Sequence, residues 1–120
     1  IPWDGGTQRL PRIIGLGRAL DFVLRSRLLE ARKCLEMDLV NEIVEPCGLM
    51  ERALVLASAI AKHGPIATRY VKEALMKGTD MTLEQGLSLE TDLNILLQST
   101  ADRVEGINSF LEHRTPEYDN

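Results

Sequence analysis

The sequence predicts a mainly α-helical chain with one short β-strand. Apolar residues recur at three- and four-residue spacing along most of its length, glycines and prolines interrupt that pattern at helix-length intervals, and only residues 39–44 combine β-branched side chains with a proline stop. The composition is that of one globular domain, with 120 residues, 44% hydrophobic, 27% charged and a net charge of -4. This balance excludes a disordered or collagen-like polymer. No apolar run approaches the roughly 18 residues of a membrane span, so no membrane partner is expected. The first residues lack a charged-then-apolar secretory pattern, and a cytoplasmic setting is the expectation. The chain opens on Ile1 rather than methionine, which reads as a processed end or as an internal position of something longer.

Gly5-Gly6-Thr7 opens the first predicted helix, through Gln8, Arg9 and Leu10. Pro11 fits only within its first turn, because deeper in a helix proline removes a hydrogen bond and presses on the preceding turn. Gly15-Leu16-Gly17 is read as a break. Residues 18–25 place Ala19, Phe22 and Val23 on one face, widened by Leu20 and Leu24, which predicts two amphipathic turns. Residues 30–37 repeat the pattern with Ala31, Cys34 and Leu35, and Asp38 follows where a left-handed residue would stop the helix. Leu39-Val40-Asn41-Glu42-Ile43-Val44 is the predicted strand, closed by Glu45-Pro46.

A longer helix over 50–62 carries Ala53, Leu56, Ala57 and Ile60 in register. Gly64-Pro65 ends it and starts another over 66–77, which Gly78 stops. Thr82 and Gln85 have capping-box spacing. The helix they open reaches about Gln98 and is expected to bury Leu83, Leu87, Leu89, Leu93 and one of Leu96 and Leu97. Ser99 or Thr100 caps a last helix to His113, with Val104, Ile107 and Leu111 on one face and Phe110 beside them. No internal repeat or composition break marks a second domain.

Residues 1–33 hold seven Lys or Arg against three acids, so the remainder carries -8. A basic end can meet phosphate groups, but arginines on solvated faces of short helices give the same pattern. One Trp, two Tyr and two Phe are too scattered for a stacking platform, so nucleic acid is not an expected partner. Cys34 and Cys47 have neither CxxC spacing nor histidines at ligand distance; they read as reduced packing thiols, and no metal site is expected. His63 stands beside Gly64 at a helix C-terminus, where a cation suits the dipole. His113, next to Arg114, has the same reading, with contact to an anionic ligand as the alternative. No nucleophile elbow, phosphate loop or HExxH motif occurs. Gly5-Gly6 allows backbone amides to approach a ligand, a plain turn being the alternative. Trp3 and Asp4 before it would line a pocket or pack at a chain contact.

In order along the chain come Ile1-Pro2-x-x-Gly5-Gly6-Thr7-Gln8-Arg9-Leu10-Pro11-Arg12, Gly15-Leu16-Gly17-Arg18-Ala19, Leu39-Val40-Asn41 before Ile43-Val44, Gly64-Pro65, and Ala101-Asp102-Arg103-x-Glu105-Gly106 through Phe110-Leu111-Glu112. Together these resemble the C-terminal half of the enoyl-CoA hydratase/isomerase (crotonase) family over the whole chain. The resemblance implies the C-terminal helical part of a crotonase-like α/β spiral fold, with residues 1–48 ending the spiral core and residues 49–120 forming a helical oligomerisation region. It implies a coenzyme A thioester as substrate and no cofactor. The thioester carbonyl would be held in a two-amide oxyanion hole while carboxylates move protons or activate water.

In the family both catalytic glutamates and both oxyanion-hole amides lie upstream of the Ile-Pro segment, so no catalytic residue is expected in this chain. The carry-over is thin. Pro2, Trp3, Asp4 and Gly5 match positions beside the pocket, with Trp3 and Asp4 standing where small residues are usual. Gly6, Thr7, Gln8, Leu10 and Phe110 match positions near a subunit contact. His113 occupies the place of a lysine that meets the CoA 3′-phosphate, with Arg114 next. Glu30 replaces the common Ser or Asp cap and Asp38 the usual glycine, both at some cost in stability. The expected role is therefore a segment that walls an acyl-CoA site and mediates contacts, either in a homo-oligomer or with the upstream half of the same fold. The alternative is a stand-alone helical interaction module without catalysis.

Overall fold

The computed structural model describes residue 2 and residues 4–118. These residues form seven α-helices and one short 3-10 turn, and no strand pairs with another among them. They gather into two compact units, Ile1–Leu49 and Met50–Asn120.

The first unit holds α1 (Gly6–Ile14), α2 (Leu16–Leu24), α3 (Ala31–Glu36) and the turn Pro46–Gly48. The chain enters α1 through two left-handed residues, Asp4 at φ 57 and Gly5 at φ 79. The Gly5 carbonyl then accepts the amides of Gln8 and Arg9 at 2.9 and 2.8 Å. Pro11 lies inside α1, beyond the first turn to which the sequence reading confined it. Its ring deprives the Thr7 carbonyl of a donor, but its own carbonyl still accepts the Gly15 amide at 3.1 Å, and the helix runs on. The break between α1 and α2 is the single residue Gly15, at φ 84 and ψ 151, a backbone region essentially reserved for glycine. Leu16 and Gly17 already belong to α2. Ile14, Ala19 and Met37 form the buried centre of this unit, with Leu10, Leu29 and Leu39 packed against it.

Three helices end in the same way. After α2, Ser26 and Arg27 donate their amides to the carbonyls of Val23 and Phe22. After α3, Asp38 and Leu39 donate to Leu35 and Cys34. The third case closes the last helix, where His113 and Arg114 donate to Phe110 and Ser109. Each is the doubly bonded Schellman stop, which calls for a left-handed residue just past the helix, usually glycine. Here the left-handed residues are Ser26 (φ 48), Asp38 (φ 58) and His113 (φ 55), so Asp38 takes the role read for it.

Residues 39–44 correct the strand expectation. They pair with no neighbouring strand and carry no regular element. A strand is held by hydrogen bonds to a partner, and β-branched residues alone do not supply one.

The second unit holds α4 (Leu49–Ala61, its first residue in the first unit), α5 (Pro65–Gly78), α6 (Leu83–Gln98) and α7 (Ala101–Leu111). α5 packs chiefly along α6 and meets α7 more sparingly. The capping box forms as read, with the Gln85 amide donating to Thr82 Oγ1 at 3.3 Å and the Thr82 amide to Gln85 Oε1 at 3.1 Å. Of the two candidates for the next cap, Thr100 serves, its hydroxyl oxygen accepting the Arg103 amide at 3.3 Å.

The expected burial of α6 is only partly realised. Leu93 is buried and Leu89 and Leu97 are half-buried, but Leu83, Leu87 and Leu96 are exposed. On α4 every large apolar side chain, from Leu49 to Ile60, is at least 45% exposed. An apolar stripe shows that a face requires cover without naming what covers it. The accessible surface is 10090 Å², whereas a compact monomer of 13.4 kDa exposes about 6,500 Å² and two separate globules of the same total mass about 7,800 Å². More than about 2,000 Å² is therefore surface that a self-sufficient chain would have buried.

Candidate functional site

In the second unit the residues with most chemistry gather where α7 meets the start of α5. Gly64 is the N-cap of α5 and, having no side chain, leaves the first amides without a local acceptor. Pro65 at the first helical position needs none. The Ile66 amide donates instead to Asp102 Oδ2 at 3.3 Å, across 36 residues. Asp102 is buried, with 7% of its surface accessible, and lies in the first turn of α7. One carboxylate thus faces the positive ends of two helices. A Cβ on Gly64 would stand 3.3 Å from Asp102 Oδ2 and 3.4 Å from the Tyr118 ring, so glycine permits this approach. Gly64, Ala67, Leu97, Asp102, Phe110 and Tyr118 are among the residues that line a groove of about 410 Å³, Phe110 being 77% exposed.

Arg114 is paired within the chain. Its Nη1 and Nη2 donate to the two oxygens of Glu105 at 2.6 and 2.9 Å, and its Nε donates to Glu112 at 2.6 Å. The hydrogen bond from Arg114, then that from the Glu117 amide, lowers the Glu105 carboxyl from 4.5 to about 2, and the same carboxylates raise the guanidinium. The Glu105 contribution to stability is present above pH 4.5 and is lost as the pH falls through about 2. A carboxylate NMR titration is expected to place the Glu105 midpoint near 2 in the native protein and to move it upward, toward the ordinary carboxylate range, in Arg114→Ala. A native midpoint near 4.5 would refute the pairing in solution.

The other residues singled out from the sequence stand apart from this cluster. Pro2, Asp4 and Gly5 are exposed at the entry to α1, and Trp3 lies outside the described residues. Gly6 is half-buried because Pro2 sits on it; a Cβ there would lie 2.9 Å from the Pro2 Cβ. Gly6 and Thr7 line a small apolar groove with Pro11, Leu16, Leu20 and Val23, while Gln8 is exposed. Leu10 turns inward onto the Ile14–Ala19–Met37 cluster. Among the described residues no three His, Cys, Asp or Glu side chains are grouped to hold a metal ion, and no helix is long and apolar enough to cross a membrane.

The enoyl-CoA hydratase/isomerase family model matches residues 1–120. The chain belongs to that family. It is 39% identical over 118 residues to the 2,3-dehydroadipyl-CoA hydratase of Escherichia coli, covering 98% of this chain and 46% of that protein. To the mitochondrial methylglutaconyl-CoA hydratase of Mus musculus it is 35% identical over 122 residues, covering 98% of this chain and 39% of the other. The crystal structure of an enoyl-CoA hydratase from Bacillus anthracis superposes with a TM-score of 0.95 at 43% identity, over 98% of this chain and 46% of that one. The chain thus has the helical architecture of one part of the crotonase fold and spans about half the length of the curated relatives it matches.

Gly64-Pro65 and Asp102 are the two sides of one helix cap. Sequence reasoning quoted both motifs and missed the contact. The available signal was a helix start with no capping side chain, which requires an acceptor from elsewhere. Glu105 was likewise quoted without its Arg114 partner nine residues on.

Proposed function

We propose that the chain is the C-terminal part of an acyl-CoA hydratase/isomerase, which completes the fold and its assembly rather than performing the reaction. The observation that carries this reading is the excess accessible surface, at the scale of a stable protein interface, together with the apolar side chains left bare along α4. Contiguous exposed apolar faces mark contact surfaces. Residues 49–120 cover and are covered by the rest of the fold and by neighbouring copies, with Phe110 among the contacts. Residues 1–48 form the edge of the catalytic core, where Pro2, Trp3, Asp4 and Gly5 wall the acyl-CoA pocket beside Gly6, Thr7 and Gln8.

The substrate is a coenzyme A thioester, and the reaction requires no further cofactor. Carboxylates and oxyanion-hole amides supplied from outside this chain perform the proton transfers. Because Arg114 is committed to Glu105 and Glu112, His113 is the group at that corner left to meet an anionic portion of the substrate. Crotonyl-CoA hydration measured on the 120-residue chain alone is expected to stay at the buffer rate, at least about a million-fold below an enzymatic rate. Supplying the remainder of the fold in one polypeptide is expected to restore turnover. Turnover by the isolated chain at the rate of a full-length hydratase would overturn the assignment.

A further inference from the structure

The segment beyond α7 does not trail away from the unit. His113, left-handed at φ 55, turns the chain, and the Arg114 amide closes that turn on the Ser109 carbonyl at 3.0 Å. Glu105 then holds the returning segment at two points. Its carboxylate takes both arms of the Arg114 guanidinium, and its Oε1 also accepts the Glu117 amide at 2.8 Å. The two-armed pairing fixes orientation as well as distance.

One residue further on, the Tyr118 ring lies across two glycines from different elements. A Cβ on Gly64 would stand 3.4 Å from Tyr118 Cε1, and a Cβ on Gly106 would stand 3.4 Å from its hydroxyl. Tyr118 therefore rests on the entry to α5 beside Asp102, and on α7 at once. α5 shares much more packing with α6 than with α7, so the segment bridges the sparser of these two contacts.

We infer that residues 112–118 form a strap that locks α7 to the start of α5, pinned by Glu105 and Arg114 and seated through Tyr118 on Gly64 and Gly106. Arg114 is then a positioning residue. It holds Tyr118 over the buried Asp102 cap, and the cap holds α5. The strap also explains why Glu105-Gly106 occurs as a pair: the acid takes the pin and the glycine takes the ring. This inference is independent of the acyl-CoA reading, since it concerns contacts within the second unit alone.

Hydrogen exchange of individual amides in the intact protein tests it. Arg114→Ala is expected to speed exchange of the Ile66 and Thr68 amides about tenfold, together with those of residues 114–118, while amides in the middle of α6 keep their native rates. Tyr118→Ala removes the seat without touching a charge, and it is expected to loosen Ile66 and Thr68 to a similar degree. Arg114→Lys, which keeps the charge and loses the fork, is expected to fall between native protein and Arg114→Ala. If exchange rises only within residues 112–118 in both alanine variants, the segment is a passive tail and the inference fails. Should Arg114→Ala loosen α6 as well, Tyr118→Ala decides alone: faster Ile66 and Thr68 amides support the strap, and unchanged ones overturn it.

Discussion

Asp102→Ala is expected to destabilise the second unit by about 2 to 3 kcal/mol, the usual cost of losing a hydrogen bond to a charged group and leaving its donor unpaired. The Ile66 amide has its acceptor in Asp102, and the Gly64-Pro65 entry offers no side chain in its place. The carboxylate also stands at the positive ends of both α5 and α7, so alanine removes a favourable charge from two helices. Asp102→Asn keeps a neutral acceptor of the same shape and is expected to cost less than half as much. Urea unfolding followed by far-UV circular dichroism separates the two, since a shifted midpoint at constant slope reports stability alone. If alanine and asparagine cost the same, the hydrogen bond is not the source of the effect. If alanine costs under about 0.5 kcal/mol, the cap itself is unimportant.

Gly15→Ala is the second large effect, expected at about 1 to 3 kcal/mol in the first unit. Gly15 sits at φ 84 and ψ 151 between two helices, and a Cβ there would have nothing within 4 Å. The loss would therefore come from the backbone, not from a clash. Gly17 supplies the internal control. It lies inside α2, also with open space around a Cβ and without a positive φ, so Gly17→Ala is expected to be neutral or to stabilise by up to about 1 kcal/mol. Thermal unfolding of both variants measures the contrast, and equal behaviour of the two would remove the argument from backbone conformation.

Most of the helical order was legible in the sequence because it rests on local signals. The Thr82–Gln85 box, the left-handed stop at Asp38 and the helix start at Pro65 all depend on residues within one turn of each other. The misreadings have a common origin in longer reach. Residues 39–44 have strand-like composition, but a strand requires a partner that the described residues do not contain. The apolar faces of α4 and α6 lie on helices as their spacing predicts, but the burial expected for Leu83 and Leu87 on α6 is not realised, since periodicity specifies a face and not its cover. Pro11 is a different case: an intact carbonyl side carried α1 past a residue whose amide side is broken.

The candidate site was less legible than the fold. Its contacts, Ile66 with Asp102 and Glu105 with Arg114 and Glu117, join positions 9 to 36 residues apart that no spacing rule connects. The motifs themselves were visible as words. Their pairing became visible only when the helices were placed.

The stops at Ser26, Asp38 and His113 bear on how much stability this fold holds unused. Each places a side chain in a backbone conformation that costs on the order of 1 kcal/mol, and each lies at a helix end outside the buried cluster. A designer seeking a hardier version has three corners at which glycine would recover that energy. At His113 the recovery would forfeit the imidazole, whereas Ser26 and Asp38 carry no such conflict. The margin left untaken at those two corners is larger than typical surface changes achieve.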